Sequence, residues 1–409
     1  MKENKYLFIG GYFSNIDEKE ILKNSISSVQ YAANGFQKNL MYGIKKNIEN
    51  EKNFYCISAP FVGAYPMGYK KARFISNNNS EYVSFINLFA IKNVFRTKAL
   101  EKLIKKKYMT QFQKSKLTIF VYSPHNPFLE VAINLKNKLK NVHICLIVPD
   151  LPQYMNLSKK QSRLYKALKS IDLKRFKQNI KYVDSFVLLT SEMNDAINFL
   201  EKPYCVVEGI IDTTEISLDQ SILEKHSLIK GEYILYTGTL NEKFGVINLV
   251  DSFAGIENKK GKKLVIAGRG DSEFRIKEYE KHDESIVYLG QVTNGEAKAL
   301  QCNASFLINP RNNEEDFTKY SFPSKNMEYL RSGRPVICYK LDGIPEDYND
   351  IFHYVDKSLE EKIQEFLLLD KNDLDIIGIK GKNYVINFKN SKIQSKKIVE
   401  LIEGVNINV

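Results

Sequence analysis

No apolar run in this sequence reaches the ~18 residues needed to span a bilayer, so no transmembrane helix is expected. No secretion signal is expected at the N-terminus either. Met1-Lys2-Glu3-Asn4-Lys5 leads straight into Tyr6-Leu7-Phe8-Ile9, a run too short for a signal core and with no cleavage site after it. A cytoplasmic location is the expectation. Cysteine is scarce: Cys56, Cys145, Cys205, Cys302 and Cys338 are scattered, and no pair has metal-ligand or redox spacing. They read as buried reduced thiols. The 5 histidines are equally dispersed, which leaves no metal cluster. Acidic residues are outnumbered, 48 against 60 lysines and arginines, for a formal net charge of +12. An anionic partner follows: nucleic acid, anionic lipid or an anionic nucleotide, unless the excess is only compositional. The basic residues are not gathered beside aromatics in a binding module, so nucleic acid is not expected. From Lys92 to Lys116, Arg96, Lys98, Lys102 and Lys105-Lys106-Lys107 alternate with Val94, Phe95, Leu100, Leu103 and Ile104. This pattern fits an interfacial basic helix at the inner face of a membrane, or an ordinary surface helix.

What is present is a long globular chain. Its 409 residues, 43% hydrophobic and 26% charged, exceed what one core usually serves, so two domains are expected. Short apolar runs alternate with helical patterns, as in doubly wound α/β folds. The first strand ends at Gly10-Gly11, a pair that lets a backbone or a ligand come close. A helix over Ser27 to Ile44 carries polar Asn34, Gln37 and Asn39. Leu117 to Tyr122 is a buried parallel strand, and His125 lies just past its end, where ligand crevices form. Asp150 follows the strand Val142 to Val148 in the same way. Ser185 to Thr190 is a strand, and Ser191 opens a helix of the capping-box type. The crossing between domains falls in Lys202 to Lys230, which contains Pro203 and Gly209. The second domain opens with Tyr233-Ile234-Leu235-Tyr236-Thr237-Gly238-Thr239, a strand into a glycine turn whose N–H groups can approach an anion. Gly268-Arg269-Gly270 lacks the third glycine of a dinucleotide site, which excludes that reading. Asp373-Leu374-Asp375 is a late helical segment rather than a metal motif after a strand.

The stretch with the most chemistry is Tyr320-Ser321-Phe322-Pro323-Ser324-Lys325-Asn326-Met327-Glu328-Tyr329-Leu330-Arg331-Ser332-Gly333-Arg334-Pro335-Val336-Ile337. It predicts a helix with Pro323 in its first turn, Ser321 and Ser324 as caps, and Gly333 ending it before a buried strand. The tip of such a helix can hold a phosphate, and Lys325 adds a full charge there. Glu328 lies one turn deeper on the same face, where a carboxylate suits a sugar diol.

The string Phe-Pro-Ser-Lys-x-x-Glu-Tyr-Leu-x-Ser-Gly-x-Pro-Val-Ile resembles the donor-binding element of glycosyltransferase family 4, in the branch found in bacterial capsule and exopolysaccharide clusters. The resemblance is strong over about residues 230 to 345 and weaker before that. It implies an α/β GT-B fold, with two Rossmann-like doubly wound domains facing a central cleft. The expected acceptor-side domain is 1–205, with a C-terminal helix of about 384–409 packed back on it, and the expected donor-binding domain is 206–383. By position, Ser324 and Lys325 would bind the nucleotide diphosphate and Glu328 the ribose. Gly238, Thr239 and Arg269 would line the donor loops, although many members carry Arg where Thr239 stands. Many members also have two glutamates in this element, and Tyr320 occupies the place of the first, with Glu314 and Glu315 out of register. Gly11, Asn34, Gln37, His125 and Asp150 would face the acceptor, and His125 joins Lys325 and Glu328 as a catalytic candidate. The implied function is retaining transfer of a sugar from a nucleotide-diphosphate sugar, a UDP-sugar, to a glycan or lipid-linked saccharide in surface polysaccharide biosynthesis. No cofactor or metal is expected. The rival readings are a GT-B sugar-nucleotide epimerase or hydrolase, and a non-catalytic subunit of a polysaccharide assembly.

Overall fold

The computed structural model describes residues 3–26, 29–78, 80–154, 163–213, 218–314, 316 and 318–404. Ser27, the expected start of the second helix, and Glu315 lie outside the described residues. The chain divides into two compact units, residues 1–210 with 391–409, and residues 211–390.

The first unit carries strands β1 (Asn4–Gly10), β2 (Phe54–Ser58), β3 (Arg73–Phe74), β4 (Phe85–Ile86), β5 (Lys116–Tyr122), β6 (Val142–Val148), β7 (Ser185–Leu188) and β8 (Tyr204–Val206). Six of them form one sheet in the order β2-β1-β5-β6-β7-β8, with every pair parallel, and β3 and β4 form a small antiparallel pair. Helices cover both faces, so these strands are apolar on both sides rather than alternating with polar residues. Tyr6, Phe8, Phe120, Tyr122, Cys145 and Ile147 bury one face, while Leu7, Ile9, Ile119, Val121 and Leu146 bury the other. The C-terminal helix Ser391–Glu403 packs on helix Tyr31–Asn47. Gly43 permits this close approach, since a Cβ there would overlap the Ser391 carbonyl. Asn47 Nδ2 then donates to the Lys392 carbonyl at 2.8 Å.

The second unit carries β9 (Tyr233–Thr239), β10 (Lys263–Arg269), β11 (Ile286–Gly290), β12 (Leu307–Asn309), β13 (Val336–Cys338) and β14 (His353–Tyr354), in the order β11-β10-β9-β12-β13-β14 and again all parallel. Its two faces divide the strand residues by parity. Tyr233, Leu235, Val265, Leu307 and Val336 enter one core, and Ile234, Tyr236, Leu264, Ile266, Ile308 and Ile337 enter the other.

The chain divides a few residues beyond the expected boundaries. Strand β8 still pairs with β7 as far as Val206, and helix Lys371–Phe388 runs unbroken past position 383. Ser191 does not form the expected capping box: its backbone is already helical, and its hydroxyl bonds the Glu192 carboxylate at 3.1 Å. A reciprocal box forms instead between Thr293 and Glu296, at the start of helix Asn294–Asn303. The late carboxylates have structural uses: Asp370 caps helix Lys371–Phe388, and Asp375 pairs with Arg334 at 2.6 Å.

Candidate functional site

In the second unit the chain leaves β9 toward β10 and β11, then returns on the other side to β12 and β13. The strand order therefore reverses between β9 and β12, and crevices form outside the C-terminal ends of strands at such reversals. The residues there are Gly238 and Thr239 at the end of β9, Gly268 and Arg269 at the end of β10 with Gly270 just after it, and Pro310 and Arg311 after β12. Glycine is required where these loops touch. Gly268 has φ +148°, and a Cβ there would overlap the Gly238 carbonyl oxygen. At Gly270 a Cβ would overlap the Leu240 carbonyl. The two loops are stitched by Leu240 N–H donating to Arg269 O at 2.9 Å and Ser272 N–H donating to Leu240 O at 3.0 Å. Gly238 pairs in register with Gly268, and Thr239 with Arg269, whose side chain is exposed.

Helix Ser324–Arg331 follows β12, so its N-terminus opens on the same edge as these loops. Pro323 is its N-cap rather than its first helical residue, and no side chain caps it. Ser321 does not cap it because its hydroxyl accepts from Arg311 Nη2 at 2.7 Å. Ser324 stands exposed at the tip. First-turn N–H groups left without a cap are the part of a helix that binds anions. Lys325 Nζ pairs with Glu328 Oε2 at 2.6 Å. Burial pulls the Lys325 ammonium down, but the Glu328 carboxylate and Tyr329 more than reverse this, so its pKa stands above the usual lysine value. Tyr320 ends the short turn Thr318–Tyr320 just before the helix and is half-buried.

Two features of the candidate site were missed in the sequence. The first is Tyr329, one turn beyond Lys325 and fully buried. Its hydroxyl donates to the Thr237 carbonyl at 3.0 Å and accepts from the Thr237 N–H at 2.8 Å. Gln301 Nε2 bonds the Thr237 hydroxyl at 3.1 Å. This network ties the helix to β9 one residue before Gly238 and sets Lys325 on the side facing that strand end. The second is Arg311, whose guanidinium lies 5.6 Å from the Phe244 ring while it bonds Ser321. Its position two residues after β12, at the strand reversal, was the signal available for it.

The first unit has its own reversal, between β1 and β5. Gly11 follows β1 there, and a Cβ on it would collide with the Phe61 ring. Gln37 and Asn34, both buried, are turned to this loop: Gly11 N–H donates to Gln37 Oε1 at 2.9 Å and Phe13 N–H to Asn34 Oδ1 at 2.9 Å. Gln37 Nε2 is spent on the Ala33 carbonyl at 3.0 Å. The structure thus gives Asn34 and Gln37 the work of shaping the loop. His125 follows β5, edge-on to Phe61 and Phe128, with ring centroids 5.7 and 4.8 Å away. Burial, then Arg96 and Lys92, hold its pKa well below the usual histidine value, so it is a neutral imidazole. Asp150 is exposed beyond β6. The structure brings Gly11, Asn34, Gln37 and His125 to one sheet edge in this unit, and Gly238, Thr239, Arg269, Ser324, Lys325 and Glu328 to one edge in the other.

Residues 231–368 match the family described as Glycosyl transferases group 1. No curated protein matches the chain. Sucrose-phosphate synthase from Thermosynechococcus elongatus superposes with a TM-score of 0.63 at 14% identity, over 98% of this chain and 99% of that one. The N-terminal domain of Candida albicans trehalose-6-phosphate phosphatase gives 0.62 at 12% identity, over 99% and 98%. Anabaena HepE, solved in complex with UDP, gives 0.57 at 11% identity, over 98% and 100%. The likeness shows the fold, which is GT-B.

Proposed function

We propose that this chain is a glycosyltransferase of the family 4 type that uses a nucleotide-diphosphate sugar, a UDP-sugar, to glycosylate a glycan or lipid-linked saccharide in surface polysaccharide biosynthesis. The observation that carries the reading is the uncapped tip of helix Ser324–Arg331, with Lys325 held charged beside it and the helix fixed to β9 through Tyr329. The match of residues 231–368 to group 1 glycosyl transferases covers this element, and HepE, a structural neighbour, was solved with UDP.

In this reading the helix N–H groups, Ser324 and Lys325 receive the diphosphate. Lys325 exchanges the Glu328 carboxylate for a phosphate oxygen, which frees Glu328 for the ribose hydroxyls. Gly238 and Gly268 keep the neighbouring loops low enough for backbone N–H groups to reach the anion. Arg311 and Arg269 supply the positive charge that Thr239 cannot. As the bond between the sugar C1 and the diphosphate breaks, the leaving oxygen takes the electron pair, and these fixed charges stabilise it. The acceptor hydroxyl forms the new bond to C1 on the same face, giving retention, and its proton leaves with the departing phosphate. Fixed cations in place of a divalent ion make the transfer metal-independent. Exposed Val94, Lys98, Lys102 and Lys105 on helix Lys92–Lys107 offer a peripheral contact with an anionic membrane.

The test is product analysis with UDP-sugars and saccharide acceptors, each with and without the acceptor. Glycosylated product formed only with acceptor supports transfer. Release or isomerisation of the sugar without acceptor would identify a hydrolase or epimerase instead.

A further inference from the structure

Burying a cation without a counter-ion is costly, and proteins normally pair such groups. Among its described residues the first unit breaks this rule. Lys92 and Arg96 stand one turn apart at the start of helix Lys92–Lys107, and His125 precedes helix Asn126–Lys138. Arg96 is only 2% exposed. Its Nη2 donates to the Pro60 carbonyl at 2.6 Å, its Nη1 lies 3.5 Å from His125 Nε2, and its guanidinium stacks 4.7 Å over the Phe85 ring. Among the described residues its Nε–H has no hydrogen-bond partner. Lys92 Nζ donates to the Val62 carbonyl at 3.2 Å.

These partners are carbonyls, an imidazole and a ring; none carries negative charge. Burial, and then Arg96, bring the Lys92 ammonium down to about 7. Burial alone depresses Arg96. Neither helix has an acidic residue in its first turn or a side-chain cap, so two positive helix ends add to the same field. Ser123, two residues before His125, has φ +73°, and its buried hydroxyl also lacks a partner among the described residues. Strain of this kind in a non-glycine residue marks a constrained site. The cluster sits beside β5 at the strand reversal, where crevices form.

We propose that Lys92, Arg96 and His125 form an oxyanion subsite, which receives the phosphate or carboxylate of a negatively charged saccharide. An oxyanion supplies the missing counter-charge through charge-assisted hydrogen bonds from the two cations, while neutral His125 contributes one more polar contact. That the saccharide is the acceptor rests on the transferase reading; oxyanion binding does not.

The experiment is calorimetric titration of the full chain with glucose 6-phosphate, glucuronate and glucose, in the wild type, Lys92→Gln and Arg96→Met, with UDP titrated in parallel. The expected result is binding of one or both charged sugars and not of glucose. Lys92→Gln should weaken it roughly tenfold or more, the worth of a charge-assisted hydrogen bond, with UDP affinity unchanged. The two charged sugars distinguish phosphate from carboxylate. Arg96→Met should abolish the binding; if that variant fails to fold, Lys92, which is less deeply buried, decides alone. No binding of either charged sugar by the wild type, equal binding of glucose, or undiminished binding by Lys92→Gln would overturn the proposal. Loss of UDP binding in every protein would count against the donor reading, while the sugar titration would still decide this one.

Discussion

Replacing Lys325 by alanine separates a structural role from a ligand-binding one. Lys325 meets Glu328 at 2.6 Å, but their side chains are 39% and 49% exposed. Such a pair at i,i+3 contributes about 0.2–1 kcal/mol to stability, so the variant should unfold within a few degrees of the wild type. Its proposed contact with a diphosphate is a different quantity. A hydrogen bond to a charged group is worth about 1.5–3 kcal/mol, which corresponds to roughly a ten- to hundredfold loss in donor affinity. If the contact strengthens as charge develops on the leaving oxygen, kcat falls as well. The assay pairs thermal unfolding without ligand against initial rates over a range of donor concentration. An unchanged melting temperature with kcat/KM lowered at least tenfold supports the account. A large loss of stability, or unchanged turnover, would refute the reasoning and return Lys325 to an ordinary surface pair.

Other perturbations reach the same site from different sides. Tyr329→Phe removes the hydroxyl shared by the Thr237 N–H and carbonyl, so unfolding free energy should fall by about 1–3 kcal/mol and UDP affinity should drop although the residue is buried; denaturant melts with a parallel UDP titration check both. Gly268→Ala forces a Cβ toward the Gly238 carbonyl at a left-handed φ, with an expected cost of ~2 kcal/mol or more and loss of UDP binding. Chelator should leave transfer unchanged; activity that disappears with EDTA and returns with a divalent cation would contradict the assignment of charge stabilisation to Lys325, Arg311 and the helix tip.

Much of this was legible because it is local. Parallel strands covered on both faces read as unbroken apolar runs, as Leu117 to Tyr122 does within β5, and glycines mark the loops that follow them. The helix at Ser324 could be placed from Pro323 and Gly333 alone. What escaped depends on distance along the chain. The Tyr329 hydroxyl bonds a strand residue 92 positions away, and nothing near Tyr329 distinguishes it from a core aromatic. Ser321 was expected to cap the helix, but Arg311 takes its hydroxyl, a competition visible only once the loop is folded. Asn34 and Gln37 were expected to face an acceptor, and their bonds to backbone two elements away could not be read from the helix pattern. Ser191 had the composition of a cap, but its backbone is already helical.

The central claim is that the edge formed by Gly238, Gly268 and the tip of helix Ser324–Arg331 holds a nucleoside diphosphate. Calorimetric titration of UDP into the wild type and Lys325→Ala, both in EDTA, tests it most directly. The account predicts saturable binding to the wild type that weakens at least about tenfold in the variant. No binding of UDP by the wild type, or equal binding by both proteins, would contradict it.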